Sequence, residues 1–111
     1  MAWLLRDGEV LAAIEVADGF AGRSRGLLGR DGIEGAMLIR PARSVHTVGM
    51  RFAIDVAFCD KDLTVVDTIT MGRFRVSRPR LRARCVVEAE AGAFERWGLK
   101  PGDRLEIKGD G

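Results

Sequence analysis

Three groups of residues in this 111-residue chain could do chemistry. The first is its single histidine, His46, and the second is Asp55, an acid set among apolar residues. Both lie in His46–Phe58, "HTVGMRFAIDVAF". The third is the arginine-rich segment Arg73–Arg84, "RFRVSRPRLRAR". A histidine oriented by a carboxylate is a general base. On a continuous strand, however, the two would stand roughly 30 Å apart, so the pair requires a bend at Gly49. No serine or cysteine stands in a nucleophile motif such as G-x-S-x-G. The residues therefore point to binding, and no catalytic residue is assigned.

Asp55 is the more informative of the pair. Side chains alternate faces along a strand. Phe52, Ile54, Val56 and Phe58 then share the core face, while Arg51, Ala53, Asp55, Ala57 and Cys59 share the other. A carboxylate on a floor of alanines leaves room above the sheet for water, a helix, another strand or a ligand. If protein covers it, the charge needs a partner, because an unpaired buried charge is very costly. Arginine is the natural mate through its planar fork, and Arg23, Arg25, Arg30 and Arg43 are candidates. Arg51 is four residues along the strand, about 13 Å away, too far without a bend. One reading is a structural Asp–Arg pair tying helix to sheet. The other is a pocket floor that binds a small polar or anionic molecule, with Arg25, His46, Arg51 and Asp55 as the ligand-binding set.

The net charge of +2 hides an asymmetry. Segment 73–84 holds six arginines and no acid: Arg73, Arg75, Arg78, Arg80, Arg82 and Arg84. On a strand the last four would share one face. A solvated edge that resists pairing with other chains is one account. An anionic partner, nucleic acid or an acidic membrane surface, is the functional one. Phe74 alone is interleaved, so there is no series of stacking aromatics.

Metal and cofactor motifs are missing. His46, Asp55, Cys59 and Cys85 lack finger or H-x-x-x-H spacing. The glycines of 22–29 and 32–35 match neither G-x-x-x-x-G-K-[ST] nor G-x-G-x-x-G. The two cysteines form no CxxC pair and read as reduced, buried thiols behaving as small hydrophobes.

The elements that must position these residues are short. Asp7-Gly8 between Trp3–Arg6 and Glu9–Val16 is a hairpin signal, since a type I′ turn needs positive φ at both centres. Asp18 is placed to cap a short helix over Gly19–Leu28. Strands are expected at Ala36–Ile39, Val45–Met50, Phe52–Cys59, Leu63–Met71, Cys85–Ala91 and Arg104–Lys108. Asp60–Asp62 and Leu99–Asp103 read as turns, and Gly92–Trp97 as one helical turn. This spacing predicts a mainly β domain over 1–111: a compact antiparallel β-sandwich or barrel with one short helix packed on it.

Hydrophobic residues make up 47% of the chain, enough for a single core at this length. No apolar run nears the roughly 20 residues of a membrane span. Met1–Arg6 is too short for a signal h-region, so a cytoplasmic location is expected.

Four stretches together resemble the DUF192 family, also called UPF0127. They are "GRSRGLLGR" (22–30), "AMLI" (36–39), "HTVGMRFAIDVAFCD" (46–60) and "AGAFERWGLKPGD" (91–103). Ile54-Asp55-Val56-Ala57-Phe58 and Arg25-Gly26-Leu27 carry it most specifically. The chain has His46-Thr-Val-Gly-Met50 where many members have Trp-Met-Lys-Asn-Thr. The resemblance implies a compact β-rich domain and no assigned reaction.

Overall fold

A computed structural model describes residues 1–18 and 31–109. Seven strands and one short helix make up its regular structure: β1 (Ala2–Arg6), β2 (Glu9–Asp18), β3 (Ala36–Arg40), β4 (Ile54–Cys59), β5 (Val65–Met71), β6 (Cys85–Glu90), α1 (Ala93–Trp97) and β7 (Leu105–Gly109). The strands form one sheet in the order β5-β4-β6-β3-β2-β1-β7. The domain is thus mainly β, as the spacing of turns predicts, with one short helix among the described residues.

Asp7 and Gly8 join β1 to β2 with φ of 52° and 80°, the positive values that a two-residue hairpin demands. Every pair in the sheet is antiparallel except β2 with β3, which run parallel. Parallel neighbours need a long crossover, and residues 19–35 supply the length. The helix expected at Gly19–Leu28 lies outside the described residues.

The sheet curls until its two edge strands meet at one end. Thr64, before β5, forms a bridge with Arg104, before β7. The Val65 N–H donates to the Asp103 carbonyl at 2.8 Å, and the Leu105 N–H to the Leu63 carbonyl at 2.9 Å. The curled sheet has an inner and an outer face. Leu4, Ile14, Leu38, Ala57, Val87, Phe94 and Leu105 pack within. Met37, Ile39, Ile54, Val56, Phe58 and Val86 pack outside, with Val45, Met50 and Ala83 from the flanking loops over them.

β4 lies between β5 and β6 and is buried at every residue. Its run of Ile, Val and Phe suits a strand covered on both faces. The alternation read from the sequence holds, since Ile54, Val56 and Phe58 belong to the outer cluster and Ala57 and Cys59 to the inner one. The room predicted over the alanine face is filled by α1 and the turn beyond it.

One expected strand does not form. Val45–Met50 makes only an isolated bridge, His46 with Val76. Val48 and Gly49 turn instead, with Gly49 at φ 85°. Residues 77–84 are irregular, so the arginines share no strand face. Pro79 helps explain this, because it offers no N–H to a ladder. Among the described residues no helix is long and apolar enough to cross a membrane.

Candidate functional site

Asp55 is 3% exposed, and its carboxylate is used by the fold. Oδ1 accepts the Thr70 hydroxyl at 2.6 Å from the neighbouring strand. Oδ2 accepts two backbone N–H groups, Gly92 at 3.0 Å and Phe94 at 3.1 Å. These are donors at the start of α1, whose own N-cap residue, Gly92, supplies no side-chain acceptor. A helix start leaves its first N–H groups without partners and favours negative charge. Asp55 therefore caps a helix from a strand. Among the described residues its partners are a hydroxyl and two amides; Arg23, Arg25 and Arg30, three of the arginines expected as mates, lie outside the described residues.

The other end of α1 is held in the complementary way. Arg6 donates from Nη2 to the Trp97 carbonyl at 2.5 Å and from Nη1 to Asp103 Oδ2 at 3.1 Å. A guanidinium at a helix C-terminus satisfies a free carbonyl and suits its negative end. Burial works against ionisation of Asp103. The Lys100 backbone N–H and the Arg6 guanidinium outweigh it and hold the carboxyl below its ordinary range.

Beside Asp55 lies a shallow depression of about 280 Å³ lined by Asp55, Thr68, Ile69, Thr70, Gly92, Phe94 and Glu95. Of the residues grouped with Asp55 from the sequence, Arg51 instead pairs with Asp31 at 2.9 Å on the exposed surface. His46 is exposed and bridges Val76. Arg25 falls outside the described residues. Neither Arg51 nor His46 lines the depression.

The arginine segment forms a different surface. Loops 41–50 and 72–84 are zipped together by main-chain bonds. Ser77 N–H donates to the Val45 carbonyl, Arg80 N–H to Arg43, and Ala42 N–H to Arg84, at 2.8–3.0 Å. Thr47, wholly buried, is the pin. Its hydroxyl donates to the Gly72 carbonyl at 2.6 Å and accepts the Arg75 N–H at 2.8 Å. Its backbone N–H donates to Arg75 and its carbonyl accepts from Phe74.

Outward from this pinned pair stand Val48 (51% exposed), Phe74 (62%) and Val76 (73%). Leu81, 81% exposed, lies further along the second loop. Arg73, Arg75, Arg78, Arg82 and Arg84 are exposed as well. The Arg73 guanidinium lies 5.4 Å from the centre of the Phe74 ring. Arg80 is set apart from its neighbours. It bonds Asp67 at 2.9 Å and lies 4.4 Å over the Phe58 ring, a structural role.

Sequence reasoning passed over Glu88. It is 3% exposed on β6, directly between Met37 of β3 and Val56 of β4. Burial pushes its carboxyl up to about 7. The signal was available: "CVVEAE" sets an acid in an apolar run, as "IDVAFC" does. Among the described residues no group of three or more His, Cys, Asp or Glu is gathered where it could hold a metal ion.

The geometry can be compared with known proteins. The DUF192 family model, described as Uncharacterized ACR, matches residues 2–107. A UPF0127 protein of Pyrococcus furiosus is 33% identical over 103 residues, covering 88% of this chain and 89% of that one. A UPF0127 protein of Pyrococcus abyssi is 31% identical over 98 residues, covering 84% of each. A crystal structure of a protein of unknown function from Novosphingobium aromaticivorans superposes with a TM-score of 0.78. It is 20% identical and covers 95% of this chain and 82% of that one, a likeness of fold. With its sheet, its Asp55 strand and nearly its whole length accounted for, the chain belongs to the DUF192 (UPF0127) family.

Proposed function

We propose that this chain is an interaction module that docks an acidic protein surface on its pinned double loop. The observation that carries the reading is the set of exposed Val48, Phe74 and Val76 beside Arg73 and Arg75, held by Thr47. Exposed apolar side chains lose water only against a partner. Arginine and phenylalanine are enriched at interface centres. Exposed guanidiniums without acids in the segment attract negative charge. The aliphatic share of the patch favours protein over nucleic acid, whose bases gain most from stacked aromatics. Main-chain pinning lowers the ordering cost that free loops would carry on binding.

Panning a random peptide display library on the chain and on Phe74→Asp tests the proposal. Enrichment of peptides combining acidic and apolar residues on the parent alone is expected. Equal enrichment on both, or none, overturns it. Tight oligonucleotide binding that weakens steeply with salt would reassign the surface to nucleic acid.

A second reading keeps a small ligand over Asp55, supported by the depression beside Thr68 and Thr70. Asp55 and Glu95 both line it, so a polar, hydrogen-bond-donating molecule suits it better than an anion. A thermal-shift screen of small amines, amides and sugars would show stabilisation lost in Thr70→Val; no stabilising compound ends this reading.

A further inference from the structure

Cys59 and Cys85 are directly opposite one another across β4 and β6, as the last registered pair of that ladder. Both side chains project to the inner face, with Ala57 and Val87 as their neighbours there. Directly opposed residues on antiparallel strands have Cα atoms about 4.5–5.5 Å apart, inside the range that a disulfide spans. The thiols are free, and the Cys59 Sγ donates to the Ala57 carbonyl at 3.8 Å.

Their surroundings are not those of inert core sulfur. Ile39 of β3 is opposite Val86, so the same register continued by one residue brings Arg40 beside Cys85. Arg40 is exposed and lines a depression of about 720 Å³ with Asp7, Val16, Asp62, Leu63 and Arg104 among others. An open hollow therefore ends at the arginine next to the cysteine pair. Cys85 is 5% exposed and Cys59 not at all, so an incoming molecule meets Cys85 first.

We propose that Cys85 and Cys59 form a redox-active dithiol that reduces low-molecular-weight disulfides, Cys85 attacking and Cys59 resolving. The adjoining Cys59 thiol and the charge of Arg40 together outweigh burial and lower the Cys85 thiol. The adjoining Cys85, with burial, raises Cys59. The thiolate is the nucleophile in such exchange.

In the first step Cys85 yields its proton to solvent and its sulfur attacks one sulfur of the disulfide. That S–S bond breaks, and the departing thiolate takes up a proton. In the second step the Cys59 sulfur loses its proton and attacks the mixed disulfide at Cys85. The Cys59–Cys85 bond forms and the second small thiolate leaves and is protonated. Two electrons pass from the protein to the small disulfide, and two small thiols are released.

The test incubates the folded chain with mixtures of oxidised and reduced glutathione, quenches in acid, alkylates under denaturing conditions and measures intact mass. Loss of two hydrogens with both cysteines protected from alkylation is expected. In Cys59→Ala the glutathione adduct should persist at Cys85. In Cys85→Ala an adduct at Cys59 should form at least about tenfold more slowly, since that thiol is the covered, raised one. Two free thiols at the most oxidising mixture overturn the proposal, and so do equal adduct rates in the two variants. If either variant does not fold, the parent chain decides: oxidation faster than global unfolding, timed by hydrogen exchange, supports the proposal. Oxidation no faster than unfolding overturns it.

Discussion

The Phe94 backbone N–H donates to Asp55 Oδ2 at 3.1 Å, across 39 positions of sequence. A five-residue helix is too short to stand alone in water, and this bond fastens its start to β4. Arg6 fastens its end. The acid that first suggests a ligand site is thus a helix cap reached through tertiary structure.

Asp55→Ala should therefore destabilise the fold by about 2–4 kcal/mol, since it leaves buried donors without acceptors. Urea denaturation would measure the loss. Amide exchange at Gly92 and Phe94 should accelerate more than at β1. Unchanged protection at these two amides would contradict the capping role.

Glu88 makes stability depend on pH. Its folded carboxyl is raised to about 7, above the ordinary value of 4.5. A raised carboxyl favours the folded state while protonated, so stability should fall as pH climbs from about 4.5 to 7. By linkage the drop is at most ~3 kcal/mol. Glu88→Gln should flatten that slope in denaturant midpoints taken across the interval. A slope that survives the substitution would exonerate Glu88.

Gly35 precedes β3 at φ 75°, and a Cβ there would collide with the Ala13 carbonyl oxygen of β2. Gly35→Ala should cost about 2 kcal/mol or more, combining a left-handed backbone with a clash against main chain. Gly8→Ala, with open space about it, carries the backbone cost alone and should lose less. Thermal unfolding of the two variants compares them directly.

Thr47→Val keeps the shape and removes both hydroxyl bonds that pin the loops. The Gly72 carbonyl and Arg75 N–H then lose partners at a buried position. About 1–3 kcal/mol is expected, with amide exchange at Arg75 rising first. Binding of any partner to the Phe74 surface should weaken in parallel, mostly through faster dissociation.

Much of this architecture is legible in the sequence because the physics is local. Asp7-Gly8 announces its hairpin through backbone torsion, and Asp60 holds its turn by accepting the Asp62 and Thr64 N–H groups. Pleat parity correctly sorts Ile54, Val56 and Phe58 from Asp55 and Ala57. What parity does not reveal is that both faces of β4 are covered. Nor does it show which groups meet Asp55, because Gly92 and Phe94 arrive from a distant segment as bare amides, with no side-chain signature. Val45–Met50 has strand composition, yet its main chain spends its bonds on loop 72–77 and not on the sheet. The arginines misled for a related reason. Their alternation matters only on a strand, and around Pro79 there is none.

The β1–β7 ladder brings early and late parts of the polypeptide side by side: Ala2 is registered against Gly109 and Arg6 against Leu105. A few glycine and serine residues would span from Gly109 to Ala2, making the molecule a ring that could be cut elsewhere. The Asp60–Asp62 turn is the natural place to reopen it. Such a circular permutant would keep every rung of the ladder while moving the start of synthesis to β5, an edge strand of the sheet.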